Sequence, residues 1–211
     1  MDAKVEYILK ELDILFPDAE CELVHKNNFE LICAVALSAQ TTDESVNRVT
    51  PALFAKYPTA FDLANADLKD VEKIISTLGL YRNKSKNLIA MAKELCEFHN
   101  GEVPNNRKAL EALAGVGRKT ANVVLSVGFD VPALAVDTHV ARISKRLGLA
   151  KYEDDVLTIE KKLMRKIDRK LWNHTHHSFI FFGRYLCKAQ RPECERCPFT
   201  AICKKDKEKH K

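Results

Sequence analysis

Four of the seven cysteines fall within 17 residues in the pattern C-x6-C-x2-C-x5-C: Cys187, Cys194, Cys197 and Cys203. Thiolates crowded this closely can wrap one metal centre, and the spacing alone suits zinc and an iron–sulfur cluster about equally. Unligated thiols beside Lys188, Arg191, Arg196, Lys204 and Lys205 would be reactive, so free cysteines are a poor account of the group. The odd number and the absence of a secretory leader argue against a disulfide framework. Cys33, inside the apolar run 31–37, reads as a small core residue, and Cys21 and Cys96 stand apart.

A second candidate lies at residues 107–127, RKALEALAGVGRKTANVVLSV. Gly115 and Gly117 permit positive φ and close backbone approach to a ligand. A helix that starts near Arg118 aims its free N–H groups out of the turn. That makes an anion site suited to phosphate and blind to base sequence. A bare GxG between helices is more often only a tight turn. Asp137 follows 18 residues after Lys119, at the head of a helix carrying Val140, Ile143 and Leu147 on one face. By residue type alone it is an N-cap.

The elements that must carry these residues are helical. Apolar residues recur at helical spacing over 3–16, 84–99 and 156–167. Residues 29–38 form a nearly all-apolar helix, Thr42 and Asp43 cap one running to Lys56, and Asp67–Ser76 is a short amphipathic piece. Residues 172–186 are aromatic and apolar and end at the first clustered cysteine. Period-two strands are absent, so the class is all-α. Pro132 breaks the chain after the longest helical block, which predicts two helical lobes with a cleft between them, the N-terminal helix docking on the C-terminal lobe.

Charge divides at the same place. Residues 1–130 carry 15 Lys/Arg against 19 Asp/Glu, and residues 131–211 carry 19 against 10, so a net of −4 meets a net of +9. A basic C-terminal region suggests a polyanionic partner, against the plainer reading of a solvated lysine-rich surface. The one low-complexity stretch is the terminal KKDKEKHK. No apolar stretch is long enough to span a bilayer and the N-terminus lacks a signal pattern, so a soluble cytoplasmic protein, associated with the nucleoid and monomeric, is expected.

The strings LAGVGRKTANVV, VDTHV, LSAQTTD and GLYRNK, together with the 6-2-5 cysteine spacing, resemble the endonuclease III family of helix-hairpin-helix DNA glycosylases. The resemblance runs from the first helix to Cys203. It implies a six-helix barrel over 21–130, and a cluster domain built from 1–20 with 131–211. It implies a [4Fe–4S] cluster on Cys187, Cys194, Cys197 and Cys203, structural and DNA-positioning in role. Lys119 is then the nucleophile, its neutral amine favoured by the first turn of a helix and by cleft burial, and Asp137 assists base loss. The hairpin residues Gly115, Val116, Gly117, Arg118 and Thr120 hold the DNA backbone. Gln40 and Leu80 fill the gap left by an extruded nucleotide. His139 lines the lesion pocket, and Ser38 and Asp43 are weaker pocket candidates. The partner implied is duplex DNA containing damaged pyrimidines or abasic sites. Where this chain has Ala114 the family often has proline. Two other readings stay open: an adenine-mismatch glycosylase on the same scaffold, against which Lys119 and the lack of an extra C-terminal domain count, and a non-catalytic DNA-binding module folded by zinc.

Overall fold

The computed structural model describes residues 1–205; residues 206–211, most of the lysine-rich tail, lie outside the described residues. Among the described residues eleven α-helices follow one another: α1 (Ala3–Leu15), α2 (Asn28–Leu37), α3 (Asp43–Lys56), α4 (Ala60–Ala64), α5 (Leu68–Ile74), α6 (Tyr81–His99), α7 (Arg107–Glu111), α8 (Arg118–Val123), α9 (Thr138–Arg146), α10 (Val156–Lys166) and α11 (Trp172–Phe181). No strand occurs among the described residues. The chain divides into two compact units, Cys21–Val131 and Met1–Glu20 with the chain from Pro132 onward.

In the unit Cys21–Val131, α2 is the central helix. Leu31, Ile32, Cys33, Ala34 and Leu37 are fully buried, and α2 packs against α3, α6, α8 and the π-helical turn Val124–Gly128. A helix apolar on every side has no solvent face, and each large side chain so buried contributes roughly 1.5–3 kcal/mol. Helix α4 is held by a capping box between Thr59 and Asp62 and lies along α6. Sequence periodicity passes over α4 because five residues are too few to show a period. Helix α6 starts at Tyr81, three residues before the apolar pattern does, because Leu80 turns the chain through a left-handed conformation there.

In the other unit, α1 contributes Val5, Ile8 and Leu12 to a core completed by Val140, Ile143, Ile159, Leu163, Phe179 and Phe182. Tyr7 reaches the far end of the chain: its hydroxyl donates to the Pro198 carbonyl at 2.8 Å and its ring meets Phe199 edge-on. The helix expected over 172–186 changes to a π-helical turn at Phe182, which leads into Cys187.

Candidate functional site

The hairpin joins α7 to α8 and is tied from three sides. Buried Asn122 accepts a hydrogen bond from Arg107 Nε at 3.0 Å, which locks the two helices together. Val116 is buried beneath the turn. Glu94 of α6 accepts the Ala114 N–H at 2.6 Å, a contact no sequence pattern announces. Gly115 takes a φ of 75°, and a β-carbon on it would sit 3.0 Å from that of Asn87. Gly117 departs from expectation: its backbone is extended, with ψ 178°, and nothing lies within 4 Å of where a β-carbon would be. Only the first glycine is needed for backbone conformation; the second leaves open space beside the start of α8, which has no side-chain cap.

Lys119 stands in the first turn of α8 and is exposed, so the burial expected for it is not a property of the DNA-free chain. Its neighbour Arg118 pairs with Glu111 at 3.9 Å.

Asp137 caps α9, one carboxylate oxygen accepting the Val140 N–H at 2.8 Å. Capping fixes the carboxylate's direction while using one of its two oxygens. His139 sits half-buried against Gly183, where a β-carbon would come within 2.9 Å of its own, and its Nδ1 lies 3.2 Å from an Arg142 amine. Burial holds its imidazole below the usual histidine range; Asp137 opposes that fall and Arg142 and Arg184 add to it.

Gln40 and Leu80 share a feature invisible in the sequence. Both are non-glycine residues in the left-handed region, at φ 54° and 59°. Both are exposed, Leu80 by 59%. Such backbone costs roughly 1–2 kcal/mol per residue and survives only where surroundings enforce it. Lys84 connects the two turns: its N–H donates to the Leu80 carbonyl at 3.0 Å, and its ammonium donates to Thr41 Oγ1 at 2.5 Å. Ser38 spends its hydroxyl on the Val35 carbonyl at 2.8 Å, which favours a local structural role.

The four clustered cysteines line one cavity of about 200 Å³, together with Leu186, Pro192 and Lys205. Burial pushes the Cys197 thiol up, and the Cys187, Cys203 and Cys194 sulfurs push it further, so the four are near enough to feel one another. Among the described residues no three His, Cys, Asp or Glu side chains converge tightly enough to grip a single ion. The thiols surround a space rather than a point. Two arginines of α9, four residues apart, hold the loop's first cysteine. Arg142 donates to the Gly183 and Cys187 carbonyls, and Arg146, 3% exposed, donates to Cys187 Sγ at 3.3 Å and the Lys188 carbonyl at 2.9 Å. The loop's exit is pinned by Lys204 N–H on the Arg146 carbonyl at 2.7 Å. Sequence reading missed both arginines; the i,i+4 spacing of two cations on an apolar-faced helix was the available signal.

An all-helical fold carrying this hairpin defines a class of DNA repair protein. Residues 33–169 match the model of the HhH-GPD superfamily of base excision DNA repair proteins. Endonuclease III of Bacillus subtilis is 53% identical over 208 residues, covering 99% of this chain and 95% of the relative. That of Escherichia coli is 42% identical over 201 residues, covering 95% of each. A solved structure described as a trapped endonuclease III–DNA covalent intermediate, an estranged-adenine complex, superposes with a TM-score of 0.94 at 52% identity over the whole of both chains. The chain belongs to the endonuclease III family.

Proposed function

We propose that this protein is a bifunctional DNA glycosylase and abasic-site lyase of base excision repair, acting on oxidised pyrimidines in duplex DNA. The observation that carries the reading is the match over the full chain to a relative trapped as a covalent intermediate with DNA. Lys119 supports it locally, since an exposed amine in the first turn of a helix with no ion pair among the described residues is available to attack. No helix among the described residues is long and apolar enough to cross a membrane.

The neutral Lys119 amine attacks the sugar C1′. A C–N bond forms to the protein as the bond to the base breaks, and the electron pair leaves with the base. Asp137, aimed by its cap, offsets the positive charge that develops on the sugar and handles the proton shed by the amine. The sugar ring opens to a protonated Schiff base. That cation acidifies the neighbouring C2′; loss of its proton expels the 3′ phosphate, cutting the strand 3′ to the lesion. Water that would suppress the attack is removed from Lys119 by bound DNA. The backbone of Gly115–Gly117, with Arg118 and Thr120, grips the phosphates. Gln40 pairs with the orphaned base and Leu80 unstacks it, with His139 beside the lesion.

Cys187, Cys194, Cys197 and Cys203 would hold a [4Fe–4S] cluster. Thiols ringing a cavity suit a polynuclear group better than one tetrahedral zinc, whose ligands must converge at about 2.3 Å. When bound, the cluster folds the basic loop so that it can meet the DNA backbone. Iron and sulfide analysis of the purified protein, with zinc as the contrary result, checks this assignment.

Borohydride trapping on a duplex with one abasic site tests the activity. Wild type is expected to form a covalent adduct and Lys119→Gln none, while both still bind the duplex. Equal trapping by the two proteins would remove Lys119 as nucleophile.

A further inference from the structure

Lys84 is only 8% exposed, yet no carboxylate pairs with it among the described residues. Lysines are almost never buried without a counter-charge, because the ammonium loses its hydration. Burial accordingly pushes its proton affinity below the ordinary lysine range. A methionine would fill the same space with no charge to desolvate. What the amine adds is a bond from Nζ to Thr41 Oγ1, one residue after Gln40, made by a residue whose backbone N–H already donates to the carbonyl of Leu80 in the first turn of α6. Residues 40 and 80 are two of five exposed non-glycine residues held in left-handed backbone among the described residues, the others being Asn100, Asp130 and Arg191, and Lys84 touches the turns of these two.

We propose that Lys84 is a positioning residue that couples the two turns, so that Gln40 and Leu80 enter the duplex as one unit. The proposal rests on the assignment of those two residues to nucleotide extrusion. A side chain that fixes two strained turns relative to each other supplies the surroundings that left-handed Gln40 and Leu80 require, and prepays the ordering of both turns before DNA arrives.

The test uses the full chain and a duplex carrying 2-aminopurine opposite a tetrahydrofuran abasic analogue, whose fluorescence rises on unstacking. Lys84→Met keeps the stem and removes the charge and the donor. It is expected to keep or raise the thermal midpoint, since an uncompensated charge leaves the interior, while the unstacking rate falls about tenfold. Gln40→Ala and Leu80→Ala, non-additive in the wild type, should become additive beside Lys84→Met. A residue of merely structural importance would lower the midpoint, with the unstacking loss vanishing once corrected for folded fraction; that result, or an unchanged rate, overturns the proposal. Thr41→Val, which removes the acceptor and leaves the lysine, must slow unstacking too, and an unchanged rate there also overturns it. Should wild type give no fluorescence change, the extrusion reading has failed. The link is then read in the free protein by amide exchange at residues 40–42, which Lys84→Met should accelerate if the link exists and leave unchanged if it does not.

Discussion

The hairpin turn and the turns that carry Gln40 and Leu80 lie in the same compact unit, and in the proposed function these last are wedge turns that solve the opposite problem. The hairpin offers backbone. Gly115 takes its left-handed φ without a β-carbon, so the conformation costs little, and a buried Val116 and a ring of side-chain ties hold it. The wedge turns offer side chains. Gln40 and Leu80 adopt similar φ values with a full side chain each, and in the proposed function the strain is retained because the residue itself has to reach out. In the proposed function, glycine serves where DNA is met through N–H groups, and where the stack must be entered a side chain is needed and the fold carries the strain instead.

Three tests break or sharpen that contrast. Gly115→Ala has the largest expected effect. It forces an L side chain to φ 75° and its β-carbon to 3.0 Å from that of Asn87. Affinity for an abasic duplex should fall by about 2 kcal/mol, roughly thirtyfold, in an equilibrium titration. Gly117→Ala, at an extended residue with open space, is the control and should leave the unbound fold unchanged in thermal melts. If the two variants melt alike, the difference between the glycines is wrong.

Glu94→Ala comes next. Losing the acceptor for the Ala114 N–H should weaken duplex binding by up to about tenfold, near 1.4 kcal/mol. In an Ala114→Pro background the donor is already gone, so the same substitution should cost nothing. Equal losses in both backgrounds would show that the carboxylate acts otherwise. No cost in the proline background would make proline and a Glu94-bonded alanine two ways to stiffen one turn.

Leu80→Asn has the smallest expected effect on stability and the opposite sign. Asparagine tolerates left-handed backbone, so chemical denaturation should show a gain of about 0.5–1 kcal/mol while base unstacking slows. A loss of stability would mean that Leu80 is not strained.

Much of this was legible from residue order. The apolar run 29–38 was long enough to be a buried helix, and α2 is central to its unit. Asp67, Thr42 and Asp137 announced helix starts by type, and each accepts the amide three residues on. These features are local: their cause lies within one or two turns of the residue concerned. The same holds for the cysteine spacing and the GVGRK string, on which the family resemblance rested.

Other features depended on residues distant in sequence. Lys84 reads as the exposed opening of an amphipathic helix, and Thr41, 43 residues earlier, turns it into a buried link. Leu80 reads as an ordinary leucine until the packing of its turn sets φ at 59°. Glu94 reaches Ala114, and Arg146 reaches across 41 residues to the Cys187 sulfur. By itself the sequence determined the helical class and the clustering of four thiols, because spacing and residue type decide those, and the family resemblance singled out the candidate amine at position 119. Tertiary structure alone decided which backbone is strained, which charge is buried and which carboxylate holds the hairpin. Burial and hydrogen bonding between distant segments exist only once the chain has closed on itself.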